Sequence, residues 1–160
     1  MSVGFGFDIH RLVKGRALIL GGVKITHPKG LKGHSDADVV LHALMDALLG
    51  AAGLGDIGDH FPDSSARFKG ADSQKLLAVV LRKVSAAGFS IENVDVTILA
   101  EQPKLKSSKT KIRKSMAKAL RLTLSRVNVK ASTMERLGSI GKGQAIGAYA
   151  VASLQKGKRK

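Results

Sequence analysis

The stretch HSDADVVLHALMDALLG, residues 34–50, constrains the fold more than any other part of the chain. At about 100° per residue, Val40, Leu41, Leu44, Met45 and Leu48 share one sector of a helix, while Asp38, His42 and Asp46 fall within roughly 80° of each other on another. Leu49 is the one apolar residue among those polar three. Such a helix must lay its stripe on a core and point its polar sector elsewhere. The pattern predicts a helix over about 35–52, with Ser35 as N-cap and the glycines of GLGDIG as its stop.

The flanking sequence supplies the core. Residues 3–9 alternate and read as a strand, and 17–20 and 23–25, split by Gly21-Gly22, read as a short β pair. Residues 27–33 (HPKGLKG) read as a loop, and 56–70 as a long polar loop of the kind that often carries function. A second helix is expected at 72–87 and a strongly basic third at 108–122, with a turn at 101–106. Strands are expected at 90–100, 127–132 and 144–154. The order β-β-α-α-β-α-β-β predicts an α+β fold, a single mixed sheet with helices packed over one face, in the manner of a ferredoxin-like variant. With 160 residues and no visible linker, one domain is expected, ending in a basic tail from about 155.

Composition narrows the function. There is no Cys, which excludes disulfides, thiolate nucleophiles and Cys-ligated metals. The start MSVGFGFDIH lacks a signal-peptide pattern, and no apolar run approaches the roughly 18 residues of a membrane span. A cytoplasmic protein with no membrane partner is expected. The net charge is +15, nearly all of it from residues 101–160, which hold only two acids, Glu101 and Glu135. All five His and ten of the twelve acids lie in the first hundred residues. The basic half reads either as a solvated surface or as a field that draws in an anionic ligand. Aromatics at 4% and the absence of Trp leave few stacking platforms and argue against a nucleic-acid partner.

Several residue sets could carry chemistry, and each alone also has an ordinary structural reading. On a strand, Asp8 and His10 point to the same side, which is half a metal site. His42 could add a third donor from the helix. Two imidazoles and a carboxylate suit Zn²⁺ with an open fourth position, and Asp38 could orient His42 from outside the ligand set. His34 and Ser35, at the expected helix start, lie where free backbone N–H groups favour phosphate. Asp56 and Asp63 flank His60 and Phe61 in the long loop and could accept from substrate hydroxyls. Ser132, Thr133 and Glu135 stand at a strand end and could hold a phosphate with a hard cation. GSIGKG, residues 138–143, is Gly-rich but matches no nucleotide-binding fingerprint.

Together the segments are far more specific than apart. GFDIHRL, LKGHSDADVVLHALMDALLGAAGLGDIGDHFPD, FKGADS, NVDVTILAEQPKL and VNVKASTMERLG, in this order, closely resemble the 2-C-methyl-D-erythritol 2,4-cyclodiphosphate synthases of non-mevalonate isoprenoid biosynthesis, over essentially the whole chain. The resemblance implies a phosphorus–oxygen lyase that is a homotrimer, with active sites between subunits. Its substrate would be a CDP-linked methylerythritol 2-phosphate, which yields a cyclic diphosphate and CMP by intramolecular phosphoryl transfer.

Carried over by position, the resemblance implies Zn²⁺ on Asp8, His10 and His42, and Mg²⁺ or Mn²⁺ held by Glu135 with the substrate phosphates. His34 and Thr133 match the family's transition-state stabilisers. Asp8, Ile9, His10, His34, Ser35 and Asp46 would border the substrate. Asp56, Ile57 and Gly58, with Phe61, Pro62, Asp63, Ser64 and Ser65, match the segments around the methylerythritol. Ala100, Glu101, Gln102, Pro103, Lys104, Leu105 and Lys106, with Ser132, Thr133, Met134 and Glu135, match those around the cytidine and its phosphates. Ser139 and Lys142 stand in the Gly-rich turn, where the family commonly has an aromatic residue and Arg near the threefold axis. Ser132 replaces a common Thr, Lys106 a common apolar residue and Gln144 a common Glu.

Overall fold

The computed structural model describes residues 1–62 and 64–157. Its main sheet has five strands, β1 (Ser2–Lys14), β4 (Lys29–Leu31), β5 (Phe89–Leu99), β6 (Val127–Ser132) and β7 (Ala145–Lys156), in the order β4-β1-β7-β5-β6. β1 is antiparallel to both β4 and β7, and β7 is antiparallel to β5. β5 and β6 are parallel, joined by a crossover through helix α4 (Lys109–Leu120). That parallel pair departs from a plain ferredoxin-like β-α-β-β-α-β sheet. The expected short pair, β2 (Leu18–Leu20) and β3 (Val23–Ile25), forms, but as a separate two-stranded sheet. The loop expected over 27–33 contains β4, a strand of three residues, too short for its alternation to register.

Helices cover one face. On β1, Gly4, Gly6 and Leu12 point inward and are buried, while Val3, Phe5, Phe7 and Ile9 are exposed on the other side. On β7 the inward set is Ile146, Ala148, Ala150, Ala152 and Leu154, all fully buried. Small inward residues on both strands let helix α1 (Val39–Ala52) approach closely. A Cβ placed on Gly6 would lie 2.0 Å from the carbonyl oxygen of Ala43, so only glycine fits there.

Helix α1 is the centre of the core rather than a surface helix. Ten of its residues are buried, including Leu49, and His42 and Asp46 are its partly open positions on the polar side. It starts three residues later than a cap at Ser35 would place it. Asp38 is the N-cap, accepting from the N–H groups of Val40 and Leu41. Residues 35–38 are held instead by helix α3 (Ser73–Ala86): Asp36 donates its N–H to the Ala71 carbonyl and accepts from Ser73 N–H. The long polar loop contains a one-turn helix α2 (Ile57–His60) and a 3₁₀ turn at Ala66–Phe68. The Gly-rich turn forms a one-turn helix α5 (Gly138–Gly141).

Candidate active site

β1 delivers Asp8 and His10 to the helix side of the sheet, and the second turn of α1 delivers His42 above them. One ligand atom from each of the three lies within 4.8 Å of the others. His42 Nδ1 is 2.9 Å from one Asp8 oxygen, and His10 Nδ1 is 3.2 Å from the other. Burial by itself raises the Asp8 carboxyl, but hydrogen bonds and charge from His10 and His42 outweigh it and bring the pKa down to about 2. The side chains remain 13–21% exposed, so the group opens to a cleft. Two nitrogens and a carboxylate held below its usual range, converging and reachable, are a donor set that fits a divalent metal.

The cleft has a volume of about 400 Å³. Ten residues singled out from the sequence line it: Asp8, His10, His34, Ser35, His42, Asp46, Ile57, Gly58, Phe61 and Pro62. Phe68 and Leu76 add apolar wall that the sequence did not reveal. The loop carrying His34 is pinned by Arg16, whose guanidinium donates to the carbonyls of Gly33 (2.9 Å) and Ser35 (2.5 Å). His34 Nε2 lies 3.1 Å from the Ser65 carbonyl. Asp46 accepts from Ile57 N–H at 2.8 Å and so fixes α2 at the rim. Burial raises Asp46, and the charges of Asp56 and Asp8 add to it against that N–H and His42.

Some expected roles go to other residues. Ser35 is not the helix cap. Its Oγ accepts from Ala37 N–H and sits 3.2 Å from His42 Nε2. The helix N–H groups expected to meet phosphate are taken by Asp38. Nor does Asp38 orient His42: it is fully buried and its oxygens also accept from Gly21 and Gly22. The hydroxyl beside His42 is that of Ser73, 3.1 Å from Nε2, which donates in turn to Asp36. Ser73 is not among the residues singled out from the sequence, because nothing local in FKGADS says that α3 brings it to α1. Asp56 caps α2 in a capping box with Asp59. His60 reaches the Leu54 carbonyl. Asp63 lies outside the described residues.

The second group of sequence candidates stands elsewhere on the same sheet. Ile9 pairs with Gly147, Gly147 with Leu99, and Leu99 with Ser132. Three strand spacings, about 14 Å, therefore separate the Asp8 side of this row from the Ser132 side. β1, β5 and β6 run in one direction, so His10, Ala100 and Thr133 leave the row at the same end of the sheet. There Thr133 Oγ1 donates to Glu135 at 2.6 Å, Glu135 and Arg136 both have positive φ, and the Gln102–Pro103 bond is cis. Lys104 lies 3.9 Å from Glu101. Met134 packs on Leu99, Ile140 and Ala145. Ala100 and Leu105 are buried, whereas Lys106, Ser139 and Lys142 are exposed. None of these residues lines the Asp8 cleft of the same chain.

Known proteins share this fold. The YgbB family matches residues 1–155. A 2-C-methyl-D-erythritol 2,4-cyclodiphosphate synthase of Lachnospira eligens is 55% identical over 154 residues, covering 96% of this chain and 84% of that protein. The bifunctional IspDF of Campylobacter jejuni superposes with a TM-score of 0.93 at 44% identity; 97% of this chain is covered, and it spans 42% of that longer one. A CDP-bound 2C-methyl-D-erythritol-2,4-cyclodiphosphate synthase gives a TM-score of 0.88 at 37% identity, covering 96% of this chain and 99% of that one. With its sequence matched from end to end and its fold shared at that level, the chain belongs to the YgbB family.

Proposed function

We propose that this chain converts 4-diphosphocytidyl-2-C-methyl-D-erythritol 2-phosphate to 2-C-methyl-D-erythritol 2,4-cyclodiphosphate and CMP, as a cytoplasmic enzyme of isoprenoid biosynthesis. The observation that carries the reading is the convergence of Asp8, His10 and His42 on one cleft, in a chain 55% identical to a synthase of that name. An oxygen of the 2-phosphate bonds to the β-phosphorus while the bond from that phosphorus to the bridging oxygen breaks. The bridging oxygen leaves with the electron pair as part of CMP. The nucleophile is already anionic and tethered, so positioning and charge stabilisation suffice and no general base is needed.

Asp8, His10 and His42 would hold zinc, and Glu135 a Mg²⁺ or Mn²⁺ ion; these supply Lewis-acid polarisation of phosphate oxygens. The protein's own contribution is placement. Asp46, through Ile57, sets the position of α2 against the methylerythritol. Phe61, Phe68 and Leu76 exclude water from one wall. His34 and Thr133 offer hydrogen bonds to oxygens on which charge builds. Residues 100–106 and 132–135 hold the cytidine and its phosphates, from a neighbouring subunit.

The reading includes a homotrimer, which the two separated groups and the bare side of the sheet support. Val3, Phe5, Phe7, Ile9, Tyr149 and Val151 leave a contiguous apolar surface opposite the helices, with Phe5 62% exposed. Tyr149 stacks on Phe5 and Phe7 at 5.7 and 4.8 Å between centroids. A face of this kind is an interface in waiting. Around a threefold axis it would set one subunit's Asp8 cleft against its neighbour's Glu135. Residues 1–160 would act as one domain, a ferredoxin-like variant in which the β5–β6 pair is parallel. No helix among the described residues is long and apolar enough to cross a membrane.

Incubation of the zinc- and magnesium-loaded protein with the CDP-linked substrate should release equimolar CMP and a cyclic diphosphate, followed by ³¹P NMR. A zinc-loaded trimer that forms no cyclic product would overturn the reading. Release of inorganic phosphate instead would mark a phosphohydrolase.

A further inference from the structure

We infer that Ser73 and Asp36 are positioning residues that fix which nitrogen of His42 faces the metal. The inference rests on the zinc reading of Asp8, His10 and His42 above. Asp36 grips Ser73 twice. One carboxylate oxygen accepts from the Ser73 N–H at 3.1 Å, and the other accepts from its hydroxyl at 2.5 Å. A carboxylate offers no proton, so the single hydroxyl hydrogen of Ser73 is committed to Asp36. What Ser73 Oγ turns toward His42 Nε2, 3.1 Å away, is therefore a lone pair.

With zinc in place of the proton between Nδ1 and Asp8, Nε2 would answer that lone pair by carrying the ring hydrogen. Nδ1 is then the nitrogen left to ligate, and Nδ1 is the atom 2.9 Å from Asp8. Ser73 is fully buried, so no water competes for the contact. Ser35 Oγ, 3.2 Å from the same nitrogen, takes its own hydrogen bond from Ala37 N–H and can accept a weaker share of the Nε2 hydrogen. The arrangement is a carboxylate–hydroxyl–imidazole relay that orients a ligand from behind, and it ties the first residue of α3 to a ligand on α1. A carboxylate directly on the imidazole would serve the same end. Here the serine extends its reach.

The test is zinc affinity by chelator competition, with ¹⁵N-histidine NMR of the zinc-loaded wild type. Ser73→Ala should weaken zinc binding about 10- to 100-fold, while the metal-free variant melts close to wild type. In the loaded wild type, the His42 shifts should identify Nδ1 as ligated and Nε2 as bearing a slowly exchanging proton, which Ser73→Ala loses. Ligation through Nε2 in the wild type overturns the inference without recourse to any variant. Unchanged zinc affinity in a folded Ser73→Ala overturns it as well and leaves the zinc reading standing. Wild type that takes up no zinc overturns both.

Discussion

Asp38 clamps Gly22 to the start of α1: one carboxylate oxygen accepts from Gly22 N–H at 2.6 Å, while the other accepts from Gly21, Val40 and Leu41 at 2.8, 3.1 and 3.2 Å. A single fully buried side chain thus satisfies both a helix terminus and the turn between β2 and β3 of the two-stranded sheet. Asp38→Ala removes a cap and orphans one buried and one part-buried N–H group in the turn, at a combined cost of roughly 3–5 kcal/mol. Urea unfolding of the metal-free protein measures it. A loss below about 1 kcal/mol would mean that water replaces the carboxylate.

The same residue gives a pH dependence of known sign. Burial pushes the Asp38 carboxyl up to about 6, against the N–H donors of Gly22, Gly21 and Leu41 and with the charge of Asp36 adding to the rise. An unfolded Asp titrates near 3.9, so the folded state binds the extra proton between about pH 4 and 6. The contribution to stability is then fully present below about pH 4 and is lost as pH rises through 6. Asp38→Asn does not titrate. Wild type should lose stability relative to Asp38→Asn across this window, read as diverging urea midpoints of the metal-free proteins. Parallel midpoints would show that the carboxyl titrates at its ordinary value.

The inward glycines of β1 tie the fold to the Asp8–His10–His42 group. At Gly6 a Cβ would meet the Ala43 carbonyl at 2.0 Å and the Ala47 nitrogen at 2.8 Å, both on the backbone of α1, which cannot swing aside as a side chain can. Gly6→Ala should cost about 3 kcal/mol, at the upper end for overpacking. It should also weaken zinc binding, because pushing α1 outward separates His42 from Asp8 two residues along β1. Stability and zinc affinity measured together check this. A destabilised variant with wild-type affinity would show that the ligands move as one unit.

How far these features can be read from residues alone depends on their range. The alternation of β1, the stripe of α1 and the order of elements are short-period patterns, and the sheet with helices over one face follows from them. The start of α1 misleads because Ser35 satisfies the local rule for a cap, whereas a contact between Asp36 and Ser73, 37 residues apart, holds that segment out of the helix. Asp38 shares a helical-wheel sector with His42, yet as the cap it has non-helical backbone angles and turns to Gly21 and Gly22. Asp8 and His10 are legible as a same-side pair. That His42 lies above them is a fact of packing, which no spacing in the sequence encodes. The separation of Thr133 and Glu135 from the cleft is equally invisible until the sheet order places β7 and β5 between β1 and β6.

Glu135 is exposed, holds a positive φ of 48° and accepts from Thr133 at 2.6 Å, so its carboxylate is displayed rather than used in packing. Glu135→Gln should leave the unfolding midpoint within about 0.5 kcal/mol of wild type, as for other surface substitutions. The Mg²⁺ concentration needed for half-maximal turnover should rise about tenfold or more, since a neutral amide is a weak ligand for a hard cation. A Mg²⁺ titration of CMP release decides it, and an unchanged curve would take Glu135 out of the metal role.

Phe5 tests whether the two groups of site residues come from different chains. Its ring is exposed on the bare side of the sheet and stacks on Tyr149, far from Asp8's helix side. Phe5→Asp puts a charge into the apolar face, and desolvating it would cost an assembling subunit several kcal/mol. The variant should run as a monomer in sedimentation, with zinc affinity near wild type, because Asp8, His10 and His42 all belong to one chain. Turnover should nevertheless fall to background, because residues 100–106 and 132–135 of the same chain leave β5 and β6, about 10 and 14 Å across the sheet from β1. A zinc-loaded monomer that still forms the cyclic product would place a complete site within one subunit.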